Sequence, residues 1–337
     1  MKPSRRARTA IAALVVATFA CFPAAVRADT VPSTWERARD PDGAEAYDLH
    51  RAVQQRLIRT TRTEIDLGER ARVLAMLQRA GAEQSKSPLL RFDLAEVYRL
   101  LDNHARAAEI YKAALAEFPD HPAAEAAWIR LAFACGHLGD HECERTAYVA
   151  VLKLETEDVL RAVPTLNLAE THMYFGDLQE AIDGYRETLR LAGRVSMGET
   201  APLATWGLAV ALDRSGNQLD AEKEARFALE LERSMGLKNL LRMREIVFFE
   251  PAYEIYWYEG LGAAAQAAAA ASPRDAVSLW RFAEKSFSAY IEAATPKNDR
   301  WLPIAKARLS HIKAQRQRAE KAVGRAPARS ADEEATF

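Results

Sequence analysis

Apolar and polar positions repeat along the middle of this chain in a fixed order. A Leu-Ala pair is followed, three positions after the alanine, by a larger side chain: Leu94-Ala95 by Tyr98, Leu131-Ala132 by Cys135, Leu168-Ala169 by His172, Leu208-Ala209 by Leu212. That spacing puts one apolar stripe on a helix. Gly139-Asp140, Gly176-Asp177 and Gly216-Asn217 come next in three of the units. Glycine accepts the left-handed conformation that ends a helix, and Asp or Asn caps the one that follows. A second stripe then appears: Ala107, Tyr111 and Ala114; Tyr148 and Val151; Ala181, Tyr185 and Leu189; Ala221, Ala225 and Ala228. The pattern predicts four helix hairpins, and successive Leu-Ala pairs lie 37, 37 and 40 residues apart.

Weaker copies flank these four. Tyr258, Leu261-Gly262 and Ala265 repeat the first stripe, and Ala276, Trp280 and Ala283 repeat the second after a break at Ser272-Pro273. Trp301, Ile304-Ala305 and Leu309 begin a last helix without a mate, as a capping helix would. Upstream, helices are expected over 44–62 and 68–84, with Leu57, Leu67, Val73, Leu74 and Leu77 facing inward. Between the fourth and fifth units, Phe248 and Phe249 precede Pro251, Tyr253, Tyr256, Trp257 and Tyr258. A long helix over about 251–271 is expected there, with the aromatics packing a kinked junction or forming part of a binding surface.

In residue types and order the units resemble the tetratricopeptide repeat, which runs aromatic, Leu, Gly/Ala, Tyr in one helix and Ala, Phe/Tyr, Ala, Pro in the next. Leu94, Ala95, Tyr98, Ala107, Tyr111, Ala114 and Pro119 match it best; Arg91, Glu144, Ala225 and Arg233 depart from it. The resemblance implies an all-α fold, a right-handed superhelical solenoid of antiparallel hairpins. It also implies a concave face lined by first-helix residues not used in packing. By register these include Phe92, Glu96, Arg99, Ile129, Phe133, Leu166, Tyr174, Trp206, Val210 and Arg214. The groove so defined is apolar and edged by a few charges, and Trp206, one position away from the packing aromatic, is its expected anchor. Family members that clamp a chaperone's terminal carboxylate use Lys, Asn and Arg where this chain has Phe92, Glu96, Arg130, Val163 and Asn167. That activity is excluded.

Composition changes the picture mainly at the ends. Residues 1–28 read as a cleaved secretory signal: Lys2, Arg5, Arg6 and Arg8, then an uncharged run from Ala10 to Cys21, then Val26-Arg27-Ala28. The run is shorter than the ~20 residues a spanning helix needs. A periplasmic or secreted location follows; a lipid-anchored form through Cys21 and a twin-arginine route through Ser4-Arg5-Arg6 find weaker support. Loss of the leader leaves 41 basic and 47 acidic residues, which gives no bulk reason to bind nucleic acid. The expected organisation is 29–87 as an N-terminal helical cap or degenerate repeat, 88–235 as four repeats, 236–298 as aromatic junction and degenerate repeat, 299–323 as a basic capping helix and 324–337 as a disordered tail.

Chemistry is sparse. Cys135 and Cys143 flank a hairpin turn and form a disulfide, remain free thiols, or join His137 and His141 in a zinc-like cluster, although that spacing matches no common zinc motif. No nucleophile elbow, HExxH, phosphate loop or CxxC occurs, and no cofactor is expected. Glu259, beside Tyr256 and Trp257, is the one carboxylate in a setting that suggests catalysis. The last helix carries Lys306, Arg308, His311, Lys313, Arg316, Arg318 and Lys321, a solvated face or a contact for anionic lipid or cell-wall polymer. Three roles follow: a non-enzymatic adaptor holding a protein or peptide partner in a cell-envelope complex, an envelope enzyme or enzyme subunit acting on cell-wall polymer, and a structural spacer.

Overall fold

The computed structural model describes residues 31–60, 67–193, 198–237, 239–243, 247, 249 and 251–325. The expected leader (1–28), the end of the tail (326–337) and Ile246, Phe248 and Glu250 of the junction lie outside them. The described residues form fourteen α-helices and short 3-10 turns. α1 (Thr34–Arg39), α2 (Pro41–Thr60) and α3 (Leu67–Arg79) precede the hairpins α4 (Pro88–Leu100)/α5 (His104–Glu117), α6 (Ala124–Leu138)/α7 (His141–Leu154), α8 (Asp158–Phe175)/α9 (Leu178–Ala192) and α10 (Thr200–Arg214)/α11 (Gln218–Ser234). A fifth hairpin, α12 (Ile255–Ala268)/α13 (Pro273–Ala294), and the long α14 (Leu302–Arg325) complete the chain. Each hairpin packs on the next, so the fold is an all-α, tetratricopeptide-like solenoid.

One bond recurs at each of the four turns. The amides of Asn103, Asp140, Asp177 and Asn217 donate to the carbonyls of Tyr98, Cys135, His172 and Leu212, at 2.9, 3.0, 2.9 and 2.9 Å. This is the six-to-one closure of a Schellman turn, and it requires a left-handed residue between. Gly139, Gly176 and Gly216 supply φ of 69°, 86° and 92°; Asp102, at 58°, serves in the first unit. Asn103, Asp140 and Asn217 then cap the next helix through their side chains. The sequence spacing and the turn geometry therefore have one cause.

Small residues let the paired helices approach. Ala95, Ala107, Ala132, Ala169, Ala181, Ala209 and Ala221 are fully buried, and Tyr111, Tyr148 and Tyr185 fill the space between hairpins. In the second unit Glu144 takes the alanine's place and is buried against His141, at 2.8 Å. The apolar interior divides into two clusters, one from Val53 to Tyr148 and one from Leu166 to Ile312, with Leu168 of α8 leaning on the first.

Three expectations need correction. Leu67 is the first residue of α3 and is exposed, while Val73 and Leu77 further along the helix are buried. The junction helix is shorter than expected: a 3-10 turn at Ala252–Glu254 leads into α12, which ends at Ala268. Gly324 and Arg325 belong to α14, so the helix runs past the expected boundary at 323.

Gly207 tests this packing. A β-carbon there would come within 2.3 Å of the Tyr185 ring. Gly207→Ala should improve local helix propensity yet lower stability by about 1–3 kcal/mol, because overpacking outweighs propensity. Thermal unfolding followed by circular dichroism measures the sign; a higher Tm would mean that α9 and α10 are less tightly apposed than described.

Candidate functional site

The expected groove is closed along much of its N-terminal half. α2 lies against α4, where His50 Nδ1 is 2.7 Å from Asp93 and the Gln54 amide donates to the same carboxylate at 2.6 Å. Phe92 is buried, and Leu166 and Val210 are enclosed in the core, so these three are not groove residues. The reason is tertiary: α2 covers the first unit, and neighbouring helices cover Leu166 and Val210. Glu96 is buried too, and Arg99 holds it through paired contacts of 2.7 Å, with Arg130 at 3.7 Å and the Tyr111 hydroxyl donating at 3.2 Å. Burial alone would raise this carboxyl, but Arg99 and Arg130 bring it down to about 2.

What stays open is a strip of rings along the turn edge. Arg99 lies over the Phe133 ring at 4.9 Å, and Phe133 leans on His137 at 4.4 Å. His137 stacks on His104 with centroids 4.2 Å apart and planes 3° from parallel. Across the Gly139 turn, His141 meets Tyr174 at 3.9 Å, Tyr174 meets Phe175, and Arg145 covers Phe175 at 4.6 Å. Ile129, Phe133 and His137 are half-buried, while Tyr174 is 45% exposed. Cys135 and Cys143 are joined in a disulfide across this turn, with Cα atoms 5.8 Å apart. His137 and His141 point to different partners, so the zinc-like cluster does not form.

Beyond Tyr174 the concave face deepens into a cavity of about 610 Å³. α8 contributes Glu170, Met173 and Tyr174; α10 contributes Leu203, Trp206 and Arg214. Leu241, Phe249, Tyr253, Glu254 and Tyr258 form another wall, and residues 297–301 form the last. That last segment reaches across the face, where Arg300 donates to the Phe175 carbonyl at the end of α8. Trp206 is therefore a wall and not the free anchor expected of it. It is 2% exposed, and its indole nitrogen donates to Glu232 at 2.5 Å.

Arg214 sits at the polar end, its guanidinium between Trp257 at 4.6 Å and Trp301 at 4.8 Å. Glu254 pairs with it, and burial pushes the Glu254 carboxyl up against the opposing pull of Arg214. The Tyr290 hydroxyl bridges Glu254 and Asp299 at 3.3 and 3.1 Å; Tyr253 and the Trp301 amide also donate to Asp299, at 2.9 and 2.8 Å. Glu259 does not line the cavity, and Arg242 holds it at 2.6 Å. Local sequence offers no signal for Glu254, Asp299 or Arg300, which reach the site only through the closure of the solenoid.

Hairpins with this turn bond and this small-residue packing define a tetratricopeptide-type solenoid. No protein-family model matches the chain, and no curated protein matches it. Solved structures resemble it loosely. The tetratricopeptide-sensor signalling ATPase PH0952 of Pyrococcus horikoshii is 13% identical, with a TM-score of 0.49 over 87% of this chain and 47% of that one. A tetratricopeptide repeat protein of Parabacteroides merdae is 13% identical, with a TM-score of 0.48 over 81% and 99%. MamA of Desulfovibrio magneticus RS-1 is 16% identical, with a TM-score of 0.45 over 56% and 97%. At such scores the likeness supports no statement about ligands.

The stacked imidazoles carry a pH dependence. Burial, with His104 and Arg99 adding to it, lowers His137 to about 4, and burial also lowers His104. The unfolded chain, with histidines near 6.5, binds more protons between about pH 6.5 and 4, so these residues favour folding at higher pH and oppose it as pH falls through that window. The Tm of the native sequence should drop more between pH 7 and pH 5 than that of His137→Gln. Equal drops would show that the stack is not what acid attacks.

Proposed function

We propose that the chain is an exported, non-catalytic scaffold that holds a segment of a partner protein in a cell-envelope complex. The observation that carries this reading is the exposed Tyr174, set where the ring strip of the first three hairpins meets the mouth of the cavity. Solvent-facing aromatics next to arginine are common energetic anchors of protein contacts, and here they stand on rigid, packed helices. The basic n-region followed by an uncharged stretch supports export, and the Cys135–Cys143 bond accords with an oxidising compartment.

The other two roles have less behind them. An enzyme built around Glu259 would use a carboxylate that Arg242 already holds outside the cavity. A spacer has no use for an exposed tyrosine backed by histidine. Contact of α14 with anionic polymer would draw on Lys306, Lys313, Arg318 and Lys321, which are exposed, whereas Arg308 and Arg316 are engaged in internal ion pairs.

A photoreactive phenylalanine analogue in place of Tyr174, activated in intact cells, should join the chain to one or a few envelope proteins. Adding Phe133→Ala should abolish most of that adduct while the protein stays folded. Absence of any adduct, or adducts that survive Phe133→Ala unchanged, would favour a spacer.

A further inference from the structure

We propose that the cavity, which meets the ring strip at Tyr174, is a second binding site, for a neutral saccharide unit. A sugar ring has an apolar C–H face, and its hydroxyls both donate and accept. A pocket suited to it pairs aromatic faces with polar groups of both kinds and carries little net charge. The cavity has these properties together. Tyr174, Trp206, Phe249, Tyr253, Tyr258 and Trp301 supply ring surfaces, and the volume of about 610 Å³ lies within the ~300–1,000 Å³ of compact ligand sites.

Its hydrogen-bonding groups point the same way. Arg214 is nearly buried and lines the cavity, yet its Nε meets no acceptor among the described residues. Tyr258 also lines the cavity, and burial raises the pKa of its hydroxyl, so it stays a donor. Asp299 and Glu254 line the cavity as acceptors that already serve Tyr290, Tyr253, the Trp301 amide and Arg214 and keep further lone pairs, and Asn298 offers both a donor and an acceptor. An aliphatic ligand would offer the Arg214 and Tyr258 donors no acceptor.

Charge narrows the choice further. The carboxylates Glu144, Glu170, Glu254 and Asp299 face the cations Arg214, Lys297 and Arg300, and His141 is paired with Glu144. The near balance selects against a strongly anionic sugar, which would meet Glu170, Glu254 and Asp299 while Arg214 is already paired with Glu254 and Arg300 is engaged by the Phe175 carbonyl. A basic ligand would be opposed by Arg214 at the polar end. A neutral polyhydroxylated ring fits both constraints.

The test uses the whole exported chain and three probes: maltotetraose, cellotetraose and chitotetraose. Trp206 and Trp301 make tryptophan emission a direct reporter, with calorimetry as a second measurement. At least one probe should bind, and Tyr258→Phe, which removes only a hydroxyl, should weaken it about tenfold. Phe133→Ala, on the strip, should leave that affinity unchanged, so loss of sugar binding and loss of the protein adduct are separable results. No response to any of the three up to their solubility would overturn the proposal. So would equal binding by Tyr258→Phe, tighter binding of an oligouronate, or displacement of emission by an apolar peptide alone.

Discussion

The last turn of α10 is the constraint on which the C-terminal half depends. Asp213 and Arg214 are adjacent, both are almost fully buried, and their side chains serve different elements. Asp213 accepts from the Trp257 indole of α12 at 2.9 Å and lies 3.3 Å from Arg308 of α14. Arg308, 1% exposed, also reaches Glu222 of α11 at 2.8 Å. Arg214 pairs with Glu254 and is held between two tryptophans. A buried charge without its partner is strongly unfavourable, so α10 tolerates these two residues only once α12, α14 and the 297–301 turn have docked. The cavity is then a by-product of electrostatic necessity: its walls are the elements that those charges require.

This arrangement explains why the concave face is uneven. At the N-terminal end the same kind of demand is met from the opposite direction. Asp93 is buried on α4, and α2 supplies His50 and Gln54 to satisfy it, which seals the first unit. Within the repeats Glu96 is shared by Arg99 and Arg130. Between these two charge clusters ring surface is left open along the strip that ends at Tyr174. Position along the solenoid, more than residue type, decides which aromatics a partner can reach.

The hairpins were legible in the sequence because their cause is local. Leu-Ala pairs, the Gly-Asp turns and the Ala/Tyr stripes act within a few residues, and the recurring turn bond ties all of them together. The site was legible only in part. Phe133, Tyr174 and Arg214 fell on the concave side by register, but register says nothing about what covers a side chain. Trp206 is buried by α12 and tied to Glu232, and Arg300 meets Phe175 across 125 residues. One local sign was present: Asp213-Arg214 ends a helix otherwise almost wholly apolar and uncharged, where charges need distant partners.

Hydrogen exchange of Arg308→Ala tests this view most directly. Losing one member of a buried ion pair should cost about 3–5 kcal/mol. If Asp213 and Arg308 couple the cap to the cavity, exchange should accelerate in α14, in the 297–301 segment and in α12 together, while α4 to α7 keep their protection. Unchanged exchange around the cavity, or a uniform rise over the whole solenoid, would contradict it.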